Sequence, residues 1–411
     1  YKQGPATALD TAAKSVTCAD GSTVSYDKLL IATGATPIRP PIDGLDSAGV
    51  HSCWTLEDAR HIAKLAKPGE PVVLVGAGFI GCIILEALAK MDVDLTVVEM
   101  GDRMVPRMLD ETAGNMLRRW CEDKGVRVMT GASVKSISAA GSTAPAPVAA
   151  SAAPAPAPAK KRGFFARLFG LGEDAPAPTP APAPPPVSSG TTGNGADSPL
   201  TVTLGDGQSL PAALVVVAAG VQSNIGFLEG SGLSTGRGVE VDAFFATSDA
   251  DVYAAGDVAE GLDLSTGQID MLAIQPVAVE HAYIAAMNMC GIPTRHRGSL
   301  NMNVLDTLGL ISSSFGNWQG VEGGDQARMV DETGYRYIRL EFNGDRLIGA
   351  QCVGMTDHIG MLRGLIQTGL PLGSWKERLI ASPMRIPEAY VAVGQGWPIA
   401  GPTAPKVALP A

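Results

Sequence analysis

The residues with the clearest chemical spacing are Gly76, Gly78 and Gly81, in the stretch VVLVGAGFIGC from Val72 to Cys82. An apolar run precedes them and a helical pattern opens at Phe79 and Ile80, so the glycines fall at a strand-to-helix turn. In such a turn Gly76 permits the tight bend, Gly78 leaves the backbone open to a pyrophosphate, and Gly81 lets helix and strand pack closely. Unpaired N–H groups and the dipole at the helix start attract the phosphates. Glu99 ends the next apolar strand, 23 positions after Gly76, where a carboxylate accepts both ribose hydroxyls. Together these features point to a bound dinucleotide; a purely structural glycine turn is the competing reading.

A carboxylate at 99 repels a 2′-phosphate, which favours NADH over NADPH. Arg103, four residues on, softens that preference if it faces the cofactor and is otherwise a surface arginine. The six cysteines (Cys18, Cys53, Cys82, Cys121, Cys290, Cys352) show no C-x-x-C or related spacing, so neither zinc nor a redox dithiol is signalled and no metal is expected. They read as reduced cytoplasmic thiols. A formal net charge of −10 and a pI near 5.0 argue against a nucleic-acid partner, which needs a basic face. No apolar run approaches the roughly 20 residues that span a bilayer, and no signal peptide is visible.

The elements that must position these groups follow the chain. With 411 residues, 45% of them apolar and 18% charged, two or three domains with their own cores are expected. Val72–Val75, a helix from about Phe79 to Lys90, and Leu95–Val98 form one βαβ unit. A second helix is expected over Asp110–Asp123, beginning with carboxylates and stopping at Gly125, with short strands near 126–129 and 134–137. Upstream, SVTCADGSTVSYDKLLIATGA reads as a hairpin turning at Asp20-Gly21 and then an apolar strand, Leu29–Ala32.

Between 139 and 198 the composition turns to Pro, Ala, Ser and Gly, a disordered insertion between strands, since LTVTLGDGQSL resumes the strand pattern. It carries an island, KKRGFFARLFGLGED (Lys160–Asp174), with four basic residues and Phe164, Phe165, Leu168 and Phe169 on one helical face. Docking on a partner groove or an anionic membrane surface, with the protein then membrane-associated, stands against no function at all. From about Gly298 short strands take over; YRYIRLEF, the turn Asn343-Gly344-Asp345 and RLIGAQCVG make the clearest hairpin, and a helix follows near Asp357–Thr368.

Three further stretches carry a resemblance: LLIATGATPIRPPIDG (Leu29–Gly44), VVVAAGVQSNIGFL (Val215–Leu228) and ATSDADVYAAGDVAE (Ala246–Glu260). With the glycine turn, they resemble the pyridine nucleotide-disulfide oxidoreductase superfamily of flavoproteins over most of Val16 to about Leu370 outside the insertion. The closest likeness is to its rubredoxin reductase and nitrite reductase branch. The resemblance implies an α/β fold with two Rossmann-like dinucleotide-binding domains, the FAD domain incomplete, plus a C-terminal α+β domain. Residues 1–66 and 246–297 would be the two FAD-binding segments and 67–245 the NAD domain. Residues 298–395 would be an interface domain that often packs on a second subunit, as in a homodimer, and 396–411 a tail.

The cofactors implied are FAD and NAD. Ala32, Thr33 and Gly34 correspond to the family's crossover segment, Gly256 and Asp257 to the motif whose aspartate bonds the FAD ribityl chain, and Ala219 and Gly220 to the far side of the NAD site. A carboxylate at the end of the apolar strand DVYAAGD also lies where α/β sheets bind ligands, with a loop cap as the alternative. The helix of MLAIQPVAVEHAYIAAMNMCG would aim its N-terminus at the flavin pyrimidine, making Gln275, Pro276 and Val277 contacts; proline suits a first helical turn.

In this frame the glycine turn at 76 belongs to the second domain, and the first G-x-G-x-x-G, for FAD, is expected before Tyr1 or on another chain. Relatives often place a glutamate two residues beyond the third glycine, where this sequence has Ile83. The His-x-x-x-x-Glu signature of the disulfide reductases is not recognisable, and His281 and His358 fall in helical patterns that read as structural. The expected function is hydride transfer from NADH to flavin N5 and on to a redox protein, quinone or other acceptor. The alternatives are a non-catalytic NADH-binding sensor or scaffold, and a membrane-surface NADH:quinone oxidoreductase.

Overall fold

The computed structural model describes residues 1–139 and 199–394. The Lys160–Asp174 island and the tail from 396 lie outside the described residues, as does all but the first residue of the 139–198 insertion.

Strand Pro71–Val75 buries Val72, Val73, Leu74 and Val75 in succession, as a strand covered on both faces must. It sits in a five-stranded parallel sheet in the order Val50–Ser52, Leu214–Val217, Pro71–Val75, Asp94–Val98, Arg127–Met129. Because side chains alternate, Val72, Leu74, Leu95 and Val97 pack with helices Leu56–Leu65, Phe79–Ala89 and Glu111–Asp123. Val73, Val75, Val98, Val215 and Val217 meet the other layer instead. That layer is the antiparallel sheet Val134–Ala139, Leu200–Leu204 and Ser209–Ala212. Ala139 is registered opposite Leu200.

A second core surrounds a parallel pair, Leu29–Ile31 with Val252–Ala254. Helix Gln275–Met289 covers one side through Ile284 and Ala285, packed with Tyr253 and Ala255. Leu9, Val239 and Val258 cover the other. The hairpin read at Asp20-Gly21 is present, with Ser15–Cys18 paired to Thr23–Ser25.

The third core belongs to a five-stranded antiparallel sheet ordered Met302–Thr307, Leu310–Gly316, Arg346–Val353, Arg336–Asn343, Asp325–Asp331. Helices Ile359–Thr368, Ser374–Ala381 and Ile386–Gly394 back it. A polar clamp fastens this sheet to the first unit: the Tyr337 hydroxyl and Arg339 (3.0 Å) both donate to Asp110, and Arg339 also holds Glu341. Burial pushes the Asp110 carboxyl up, but the Ala113 N–H, Tyr337 and Arg339 outweigh it and hold the group below its usual value. The expected class, α/β units joined to a C-terminal α+β module, is the observed one.

Candidate functional site

At the end of Pro71–Val75 the chain turns at Gly76 with φ +102°. A Cβ there would lie 2.5 Å from the Ala218 carbonyl oxygen, and one on Gly81 would overlap the Gly76 carbonyl oxygen. Both positions are closed to any side chain. Gly78 differs: a Cβ on it would meet nothing within 4 Å. It is the N-cap of helix Phe79–Ala89 and provides no side-chain cap. The first-turn N–H groups, at Phe79 and Ile80, therefore receive no acceptor from the cap side chain. Ala218 N–H donates to the Val75 carbonyl (2.8 Å), which sets Ala218 and Ala219 beside Gly76, with Gly220 next in the chain.

Glu99 reaches back to the same turn. Its Oε2 accepts the Ala77 N–H at 2.6 Å and its Oε1 the Gly101 N–H at 2.7 Å. A carboxylate has about four acceptor positions, so two remain for a ligand. Ala77 is held from its other side as well, its carbonyl accepting the Val105 N–H at 2.9 Å. Val105 has φ +48°, a left-handed conformation that is unfavourable for a β-branched residue, and it is 1% exposed. Arg103 braces this segment: its Nε donates to the Leu109 carbonyl (2.9 Å) and its Nη1 pairs with Asp102. Its guanidinium is committed within the loop.

A second group of predicted residues gathers at the C-terminal ends of the parallel pair. Ala255 N–H donates to the Ile31 carbonyl (3.0 Å), so Ala32, Thr33 and Gly34 leave one strand beside Gly256 and Asp257 leaving the other. Thr33 exchanges hydrogen bonds with Asn224: its hydroxyl donates to the Asn224 carbonyl (2.9 Å), and the Asn224 amide donates to the Thr33 carbonyl (2.8 Å). Asp257 is half-buried, no group among the described residues donates to its carboxylate, and burial pushes its pKa up. A desolvated acceptor without a donor is expensive unless a ligand hydroxyl supplies one.

Helix Gln275–Met289 starts nearby, uncapped, with Pro276 in its first turn. Gln275 and Pro276 are exposed. Val277 is 4% exposed and packs inward, so its side chain serves the core rather than a ligand.

Sequence reading missed the Val105 segment and Asn224, whose roles depend on tertiary placement. It also missed a buried network behind the helix. The Ser299 hydroxyl donates to Glu280 (2.7 Å) and lies 3.2 Å from His281 Nε2 and 3.0 Å from His296 Nε2. Burial holds His281 down to about 3, so it is a neutral structural imidazole as expected. His358 is the N-cap of Ile359–Thr368. Among the described residues no group of three or more His, Cys, Asp or Glu could hold a metal ion, and no helix is long and apolar enough to cross a membrane.

The profile of the pyridine nucleotide-disulphide oxidoreductases matches residues 1–151 and 188–286, more than half of the chain. The protein belongs to the pyridine nucleotide-disulphide oxidoreductase family. Among members of this family, it is 28% identical over 90% of its length to the NADH-dependent phenylglyoxylate dehydrogenase subunit epsilon of Aromatoleum evansii, covering 75% of that protein. The assimilatory nitrate reductase electron transfer subunit of Bacillus subtilis is 27% identical over 85% of this chain, which spans only 37% of it. Rubredoxin and nitrite reductases are similar too. Among solved structures, a NAD-dependent persulfide reductase from A. fulgidus superposes with a TM-score of 0.69 and 28% identity. That match covers 90% of this oxidoreductase and 62% of the persulfide reductase.

Proposed function

We propose that the protein is an FAD-dependent NADH oxidoreductase whose electrons pass to a redox protein or a small-molecule acceptor. The observation that carries this is the paired glycine geometry: Gly76 and Gly81 have no room for a Cβ, while Gly78 opens on empty space in front of an uncapped helix. Structural glycine turns need the first two features and have no use for the third.

The chain's groups fit both cofactors. For NAD, the backbone of Gly76, Gly78, Phe79, Ile80 and Gly81 would hold the pyrophosphate, and Ala219 and Gly220 would border the nicotinamide half. The two unused acceptor positions of Glu99 would take the ribose hydroxyls. Arg103 is committed to Leu109 and Asp102, which supports NADH over NADPH. For FAD, Asp257 would accept a ribityl hydroxyl, Gly34 and Gly256 would let the backbone approach, and the helix start at Gln275 and Pro276 would face the pyrimidine end. The NAD domain then begins and ends earlier than the expected 67–245, since Val50–Ser52 and helix Leu56–Leu65 pack with its sheet while Leu228 and Val239 pack with Leu9 and Val252 in the second core. The FAD segments shift accordingly from 1–66 and 246–297, and 298–395 would be the interface domain.

When bound, FAD supplies the two-electron acceptor chemistry at N5. The protein's share is orientation: rigid turns fix the two rings' binding segments against each other, and the buried strands behind them exclude water. The test is ferricyanide reduction by NADH with the protein supplemented with FAD. Turnover well above a protein-free blank is expected, and turnover equal to the blank would overturn the reading.

A further inference from the structure

Gln351 lies on strand Arg346–Val353 of the antiparallel sheet, between Ser314 and Arg339 in the register, and is fully buried. A buried carboxamide is costly unless its groups are paired, and an apolar side chain would fill the same place without that cost. The two bonds it makes cross to the first unit: its amide donates to the Met108 carbonyl (3.3 Å), and its oxygen accepts the Asp110 N–H (3.2 Å). Tyr337, on the neighbouring strand and also fully buried, adds its hydroxyl to the Asp110 carboxylate.

The segment held in this way leads to the glycine turn through a short series of hydrogen bonds. The Met108 and Leu109 N–H groups both donate to the Val105 carbonyl (2.9 and 3.0 Å), the Val105 N–H donates to the Ala77 carbonyl (2.9 Å), and the Ala77 N–H donates to Glu99 (2.6 Å). Met104, Val105, Met108 and Leu109 are each no more than 2% exposed, and a close-packed interior passes a displacement on instead of absorbing it. Val105 is the weak point of the series. Its left-handed backbone is unfavourable for a β-branched residue, so the segment keeps this shape only while both of its ends are held.

We propose that Gln351 and Tyr337 are positioning residues for the dinucleotide turn: without touching a cofactor, they hold Val105 in place and, through it, the Ala77 peptide and the Glu99 carboxylate. This role rests on the reading of the glycine turn and Glu99 as the NADH site. The C-terminal sheet thereby sets NADH affinity from the far side of the 104–110 segment.

Gln351→Met keeps the length of the side chain and removes both bonds. Hydrogen–deuterium exchange of the full chain, read by mass spectrometry, should speed by about five-fold in peptides covering 72–82 and 101–110, while a peptide from Gln275–Met289, in a separate core, stays unchanged. Calorimetry should show NADH binding about five-fold weaker, with FAD retention and the rate of flavin reduction at saturating NADH unchanged. A purely structural role would raise exchange at 108–110 and in Arg346–Val353 and leave 72–82 alone. That pattern, or NADH affinity within about two-fold of the unmodified protein, would overturn the proposal. If the unmodified protein binds no NADH, the dinucleotide reading fails, and exchange at 72–82 alone decides whether Gln351 holds the turn. Where Gln351→Met does not fold, Tyr337→Phe, which takes only a hydroxyl from Asp110, is measured in the same way and decided by the same outcomes.

Discussion

Replacing Glu99 with alanine separates its two jobs. The carboxylate accepts two backbone N–H groups, from Ala77 at 2.6 Å and Gly101 at 2.7 Å. Hydrogen bonds to a charged acceptor contribute about 1.5–3 kcal/mol each when buried, and Glu99 is half-buried, so about 2–3 kcal/mol for the pair is a fair sum. Loss of the ribose contacts is a second effect of about 2–2.5 kcal/mol, which weakens NADH binding about 30- to 70-fold. Glu99→Gln keeps the length and one acceptor oxygen but removes the negative charge that repels a 2′-phosphate. It should bind NADH about ten-fold more weakly and lose about ten-fold in its preference over NADPH. Titration calorimetry with each dinucleotide, alongside denaturant unfolding of each variant, reads both effects. NADH affinity within two-fold of the unmodified protein in a folded Glu99→Ala would refute the placement of the ribose.

Gly81→Ala would drive a Cβ into the Gly76 carbonyl; destabilisation of about 2 kcal/mol or more in urea unfolding is expected, with NADH binding lost. Ser299→Ala leaves two buried imidazoles and Glu280 without their shared hydroxyl, and should cost about 2–4 kcal/mol by the same assay. His281, held at about 3 in the fold against 6.5 in the unfolded chain, makes the unfolded state the greater proton binder between those values. Stability should therefore fall as pH drops below about 6.5, by up to about 1.4 kcal/mol per pH unit. Unfolding midpoints at pH 7.5 and 5.0 check this, and equal midpoints would contradict it.

The glycine turn was legible because its signal is local: each glycine answers a constraint set within a few residues. The helix start at Asp110 was legible for the same reason, its side chain accepting the Ala113 N–H at 2.9 Å. Helix Leu56–Leu65 escaped notice although Thr55 and Asp58 form a capping box, because Leu56 and Leu65 are exposed and blur the apolar period. Non-local features were out of reach. The left-handed turn at Val105 exists because the buried Met104, Met108 and Leu109 hold the segment against the glycine turn. The Ser299 network joins that serine to His281 and Glu280, 18 and 19 positions away, as well as to His296 three positions away, and no spacing rule links the distant pair to the serine. Sheet order was equally hidden, since Val50 pairs with Val215, 165 positions away.

The central claim, that one chain brings NADH and flavin together, is tested most directly by a visible absorption spectrum. The purified protein is mixed with FAD, freed of excess by gel filtration, and recorded before and after anaerobic NADH. The account predicts a bound-flavin spectrum that bleaches when NADH is added. A retained flavin that keeps its full absorbance under NADH would contradict it.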